Sequence, residues 1–413
     1  VSAVPATPAV LDDIDRLRDP DEATAIIRAR TPLLGTEDVP LRDLAGRMLR
    51  EDVTSDEDQP PFPAATVDGY AVVSGDDAAR RRVLGDQFAG NVERFHVQRG
   101  DAAYITTGAP VPPGADAVVM VERTERDGEH VRIMHTLRPG ENIRPVGSDL
   151  RRGDQVLTAG TVLSPAAVGL LASLGRTAAR VTRRPRVSVL ATGDELVEPG
   201  QPVGPGQIRD SNRFALVAAL APLGVELVFA GIAPDTDTAQ RAFFTACLAD
   251  SDVLITSGGV SMGRKDLVKG LLTELATVHF RQLRMRPGKP FTFATAGDAL
   301  IFGLPGNPVS GLVGFELFVR PSLLRMMGHT ATAERPRVRV RLAHDVMPID
   351  RIDYLRVALR RMEDGTLEAT STGAQQSSRL ASLVGAQAFA IVPPCPEPYR
   401  AGELLDALLL EPV

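Results

Sequence analysis

Between residues 183 and 333 the apolar positions fall into short, nearly unbroken blocks such as Val187-Ser-Val-Leu-Ala, and helix-like stretches separate them. The pattern predicts strands at 187–191, 225–231, 252–256, 278–284, 291–295 and 299–303. Helices are expected from near Ser211, at 236–249, at 266–275 and over about 308–327. Strands that are continuously Val, Ile and Leu, alternating with helices, predict a parallel sheet covered on both faces. Residues 183–333 therefore read as a doubly wound α/β domain.

Either side of this block the period changes. Residues 10–50 read as helical; Asp21-Glu-Ala-Thr-Ala-Ile-Ile-Arg has acids first and Arg last, which suits a helix dipole, and Pro32 follows. Gly69-Tyr-Ala-Val-Val and Ala117-Val-Val-Met-Val are short strands between Gly and Pro turns, so 53–142 reads as all-β. Residues 10–52 with 143–182 then form a linking domain of helices and strands around that insertion. From 334 to 413 the alternation of Arg337-Val-Arg-Val-Arg-Leu and Ala388-Phe-Ala-Ile-Val predicts a small β barrel or sheet. The expected fold class is thus multidomain, a central doubly wound α/β domain with flanking β domains.

Composition narrows the function. The net charge of −6, without a basic run, argues against nucleic acid as a partner. No apolar run approaches the roughly 20 residues that span a bilayer, and the first residues lack a secretory pattern, so the expected compartment is the cytoplasm. Cys247 and Cys395 have no metal-ligand spacing and read as buried thiols; the six His are scattered. Of 46 Lys and Arg only Lys265, Lys269 and Lys289 are Lys, and all three lie between 264 and 289.

In such a domain ligands bind beyond the carboxyl ends of the strands. Three loops there are polar and Gly-rich. Ala191-Thr-Gly-Asp-Glu places Thr192, Gly193, Asp194 and Glu195 after a strand; the two acids suit Mg²⁺ or water, and equally a solvated turn. Thr256-Ser-Gly-Gly-Val-Ser-Met-Gly-Arg-Lys-Asp offers consecutive backbone N–H groups as an anion cradle, with Ser257, Gly258, Gly259, Ser261 and Asp266 as candidates. Arg286-Pro-Gly-Lys289-Pro and the Pro305-Gly306-Asn307 turn before a helix add two cations and a second helix start. Two cations and two helix starts at one edge point to a phosphate or oxyanion substrate. Asp235 suits this edge too, and Asp235-Thr-Asp also makes a good N-cap.

Six motifs then occur in a family's order: Asp68-Gly-Tyr-Ala, Thr107-Gly-Ala-Pro-Val-Pro, Thr192-Gly-Asp-Glu-Leu, Ser257-Gly-Gly-Val-Ser-Met-Gly, Pro287-Gly-Lys-Pro and Gly303-Leu-Pro-Gly-Asn-Pro-Val-Ser. From about residue 10 to its end the chain resembles the MoeA family. The resemblance implies a molybdopterin-binding α/β domain and a Mg²⁺-dependent transfer of molybdate to adenylyl-molybdopterin, with release of AMP. It also implies a homodimer whose active site lies between the α/β domain of one subunit and the β domain of the other. As further partners it implies molybdopterin adenylyltransferase and molybdoenzymes. Carried over by motif, Glu195, Asp235 and Asp266 would handle the metal and activate water. Arg286 and Lys289 would hold oxyanion oxygens, and Asp68, Thr107 and Asp149 would come from the partner subunit. Ser257, Gly258, Gly259 and Ser261 would line the pterin–AMP site.

The chain departs from the family at Pro63-Ala-Ala-Thr-Val, where Asp-Asn-Ser-Ala-Met is usual, at Arg286, where Lys is common, and at Thr372-Gly-Ala-Gln-Gln-Ser-Ser. The first departure favours an alternative expectation, a non-catalytic or weakly active pterin-binding scaffold. The acids at 195, 235 and 266 favour catalysis. Adenylylation of molybdopterin is a further alternative, against which the β domains at both ends argue.

Overall fold

The computed structural model describes residues 13–90, 93, 95–259 and 267–411. It divides into two compact units, one of the chain up to 37 with the chain from 181 onward, the other of 38–180.

In the first unit a seven-stranded sheet is built from β1 (Leu17–Arg18), β2 (Arg186–Thr192), β3 (Glu226–Ala233), β4 (Val253–Ser257), β5 (Thr277–Leu283), β6 (Pro290–Ala296) and β7 (Ala299–Leu304). Their order is β1-β5-β6-β7-β4-β2-β3. The helices are α1 (Pro20–Arg28), α2 (Asn212–Leu220), α3 (Asp237–Asp250), α4 (Leu267–Leu275), α5 (Pro308–Gly314) and α6 (Arg320–Met326). A π-helical turn, Phe315–Val319, joins α5 to α6 just ahead of Pro321, which has no N–H to offer the preceding turn.

Strand alternation explains the two covered faces. Val187, Val189, Val253, Ile255, Leu300 and Phe302 pack with α1, α2 and the 308–326 helix. The intervening Leu190, Leu254 and Ile301 pack with Phe244 and Cys247 of α3 and Val268 and Leu271 of α4. The wholly parallel sheet expected from the pattern is mixed, because β6 runs antiparallel to β5 and β7. Ala296 pairs with Ala299 across a two-residue turn, and a parallel partner would need a crossover of a dozen residues or more.

The helix expected over 10–50 is confined largely to α1. Leu17–Arg18 is a strand beside β5, and Thr36–Pro40 pairs with Ala178–Thr182. Ala23, Ile27 and Leu34 belong to the α/β core, so this segment sits with the large sheet and not in the linking region.

The same unit carries a closed barrel of β8 (Arg337–Leu342), β9 (Ile352–Arg361), β10 (Leu367–Ser371), β11 (Ala388–Val392) and β12 (Leu404–Leu409). The order is β9-β10-β8-β12-β11, and β11 pairs back onto β9. Val340, Leu355, Val357, Ala390 and Leu405 fill its interior. Cys395 is exposed, against expectation, because it lies on the Pro-rich link between β11 and β12; Cys247 is buried.

The second unit holds a six-stranded sheet in the order 117–120, 69–72, 101–105, 80–87, 130–133, 124–127, as the alternation over 53–142 predicts. A helix, Pro165–Ser173, starts at Ser164, whose hydroxyl accepts the Ala167 N–H at 3.2 Å. No helix among the described residues is long and apolar enough to cross a membrane.

Phe291 is fully buried between Phe280, Phe302 and Phe318, with ring centroids 4.9 to 6.3 Å away. Phe291→Ala is expected to destabilise the first unit by about 3–5 kcal/mol, read as an earlier urea midpoint for that unit's transition. An unchanged midpoint would contradict the packing described.

Candidate active site

Parallel β2, β4 and β7 end in one row across the sheet: Ala191 pairs with Ser257, and Ser257 with Leu304. The three loops singled out in the sequence therefore leave the same edge. Their backbones nearly touch. The Gly258 N–H donates to the Leu304 carbonyl at 3.1 Å. Gly258 and Gly259 both have left-handed φ, +88° and +67°. A Cβ on Gly258 would lie 2.6 Å from the Thr192 carbonyl oxygen, and one on Gly306 would lie 3.8 Å from the Gly258 Cα. Only glycine allows the middle loop this conformation so close to the first. Ser261 and Asp266 lie outside the described residues.

Because β6 is antiparallel, its start lies at this same edge. That brings the turn Arg286–Lys289 to the other loops, and a Cβ on Gly288 would sit 3.7 Å from the Ser310 carbonyl oxygen. Lys289 is exposed, and its ammonium has no partner among the described residues. Arg286 is different: its guanidinium bonds the buried carboxylate of Asp353 on β9. Pro305 is buried, and Gly306 and Asn307 are exposed ahead of α5. Asn307 makes no side-chain cap.

The acids form the other side of this edge. Asp194 and Glu195 are exposed, and Glu195 folds back over Gly193, where a Cβ would lie 2.5 Å from Oε2. Asp194 Oδ1 accepts the Asp235 N–H at 3.3 Å, so the acids after β2 and β3 are adjacent. Asp235 does not cap α3. Thr236 does, accepting the Ala239 N–H at 3.4 Å, and the Asp235 carboxylate instead takes the Gln240 amide at 2.6 Å. Among the described residues no three acidic, His or Cys side chains form a metal cluster.

Three further polar residues escaped the sequence reading. Asn212, at the start of α2, donates to Ser257 Oγ at 2.9 Å and to the Gly306 carbonyl at 2.8 Å, which ties the second loop to the third. Gln240 is fully buried behind Asp235. Arg356 is fully buried on β9; its Nε bonds Ser382 Oγ, and neither terminal nitrogen has a partner among the described residues. Burial, then the charge of Arg286, lowers its pKa, and Asp353 opposes both. A signal for Arg356 existed: one charge inside the otherwise apolar run Tyr354-Leu-Arg-Val-Ala-Leu. The barrel also reaches the start of α5, where Ser377 O accepts the Val309 N–H at 3.1 Å.

In the second unit Asp68 and Thr107 meet. The Thr107 N–H and hydroxyl both donate to Asp68 Oδ1, at 2.7 and 2.9 Å. Asp149 is exposed, and among the described residues no bond joins it to that pair. The backbone N–H of Thr107, followed by its hydroxyl, holds the Asp68 carboxyl below the ordinary aspartate value. A depressed folded value means the pair's contribution is present above the unfolded aspartate range and is lost as pH falls through the folded value. Thr107→Val is expected to move the Asp68 midpoint upward without restoring it fully, because the backbone bond remains. A carbon-detected NMR titration checks this; an unmoved midpoint would contradict the hydroxyl bond.

Comparison with known proteins finds relatives along most of the chain. Three family profiles fit in succession: the MoeA N-terminal region (domain I and II) over 18–175, a probable molybdopterin binding domain over 188–325, and the MoeA C-terminal region (domain IV) over 339–410. The molybdopterin molybdenumtransferase of Haemophilus influenzae is 36% identical over 361 residues, 86% of this chain and 89% of that one. That of a Nostoc species is 38% identical over 372 residues, 87% and 85% respectively. Dictyostelium discoideum gephyrin is 35% identical over 95% of this chain, which spans 62% of gephyrin. Two crystal structures of MoeA proteins from Pyrococcus horikoshii superpose with TM-scores of 0.81 and 0.75 at 32% and 29% identity. They cover 96% and 95% of this chain and 100% of each neighbour. Matched along nearly its whole length, the chain belongs to the MoeA family.

Proposed function

We propose that this chain is a molybdopterin molybdotransferase that inserts molybdate into adenylyl-molybdopterin and releases AMP. The observation that carries the reading is the convergence at one sheet edge of the turn with the open Lys289, the glycine turn at 258–259 and the start of α5. Molybdate is a tetrahedral dianion, and fixed donors and cations are what such an oxyanion requires. The relatives named as molybdenumtransferases support the same substrate class.

Lys289 supplies an oxyanion donor, and Arg356, buried near Arg286, adds positive charge behind that turn. Arg286, neutralised by Asp353, serves mainly to hold the turn in place. The Gly258 and Val309 N–H groups are taken by the Leu304 and Ser377 carbonyls, and Ser257, Gly258 and Gly259 line the pterin–AMP site. Breaking the link to AMP leaves negative charge on both phosphates. Mg²⁺ fits the opposite side of this edge. Both Glu195 oxygens and Asp235 Oδ2 have no partner among the described residues, and carboxylate oxygens suit a hard cation. Glu195, Asp235 and Asp266 would hold it, and it would offset the charge that develops on the phosphates. The reading includes Asp68, Thr107 and Asp149 as substrate contacts, a homodimer and a cytoplasmic location.

The test is AMP release from adenylyl-molybdopterin by the purified protein, with Mg²⁺, with and without molybdate. Molybdate-dependent release is expected, with Glu195→Gln slower by at least about 100-fold. Lys289→Met is expected to raise the KM for molybdate more than it lowers kcat. Substrate binding without release would favour a pterin-binding scaffold, and release indifferent to molybdate would overturn the transferase reading.

A further inference from the structure

Gln240 lies in the first turn of α3, where its N–H bonds the Thr236 carbonyl at 2.9 Å. Its side chain is fully buried, and Nε2 donates to Asp235 Oδ1 at 2.6 Å. An ionised carboxylate only accepts hydrogen bonds, so the amide must face it through nitrogen. That turns Oε1 inward, where it has no donor among the described residues. An unmet buried acceptor is destabilising, and an apolar side chain of similar volume fills such a space without that penalty. Packing therefore does not account for an amide here; the bond to Asp235 does. The same aspartate is held from its other side, since its N–H donates to Asp194. Backbone and carboxylate are both fixed, and Oδ2 alone is left without a partner among the described residues.

We propose that Gln240 is a positioning residue for cation binding: by occupying Oδ1 it fixes the Asp235 carboxylate so that Oδ2 is presented to a divalent cation. The inference rests on the reading of Asp235 as a cation ligand. Partners that orient a ligating carboxylate typically change metal affinity 10- to 100-fold when removed. Gln240 touches neither phosphate nor pterin in this reading, so its effect falls on cation affinity before any effect on molybdate.

The test uses the full chain without substrate. Mn²⁺, which takes the same oxygen ligands as Mg²⁺, is titrated by the loss of its free electron-spin resonance signal. Wild type, Asp235→Asn, Gln240→Met and Gln240→Leu are compared, with a thermal midpoint for each. The expected result is Mn²⁺ binding in wild type, its loss in Asp235→Asn, and a weakening of about tenfold or more in both Gln240 variants. Their thermal midpoints should be equal to or above wild type, because the unmet acceptor is gone. A merely structural glutamine would give the reverse, unchanged Mn²⁺ affinity with a lower midpoint, and that overturns the proposal. If wild type binds no Mn²⁺, or Asp235→Asn binds it normally, the reading of Asp235 as a ligand falls and this proposal falls with it. Two Gln240 variants guard against one failing to fold.

Discussion

The hydrogen bond from the Gly258 N–H to the Leu304 carbonyl is the contact on which the rest of this edge depends. It closes the row Ala191, Ser257, Leu304 at the end of the sheet, so three loops distant in sequence begin from a common line. Strand register sets that line, and register is strongly fixed here because both faces of each strand are buried. Slipping β4 by one residue would move Leu254 from one core to the other and drag the glycine turn away from Thr192. The large core and the small site are therefore held by one constraint.

The barrel is attached to this edge by polar as well as apolar contacts. The strand Met285–Arg286 pairs with Ile352–Asp353 of β9, the Arg286 guanidinium meets Asp353, and Ser377 O takes the first free N–H of α5. Two buried charges, Asp353 and Arg356, each keep polar atoms without partners among the described residues. Groups left unmet in a protein interior are destabilising, and these two lie beside Arg286, on the turn that also carries the exposed Lys289. The incomplete bonding coincides with the place where an oxyanion is proposed to bind.

Much of this was legible in the sequence. The strands between 186 and 304 were readable because most are nearly unbroken apolar runs, and the motif order pointed to the family. The antiparallel β6 was less legible, since a buried strand carries the same Val, Phe and Ala pattern in either direction; the two-residue turn at Gly297-Asp298 held that information. Residues 17–18 and 36–40 were misread as helix because their partners lie far along the chain. Arg286 was read as a free cation because Asp353 lies 67 positions away. Asn212, Gln240 and Arg356 act through contacts that exist only once the sheet has formed, and no local spacing announces such residues.

One feature of the barrel has a practical side. Of the two cysteines, Cys247 is buried against the sheet, and burial pushes its thiol pKa up, which suppresses the thiolate that reacts. Cys395 stands exposed on the link between β11 and β12. A thiol-reactive fluorophore would thus label the barrel alone in the unmodified protein. It would provide an optical view of the barrel's surroundings as ligands arrive at the sheet edge.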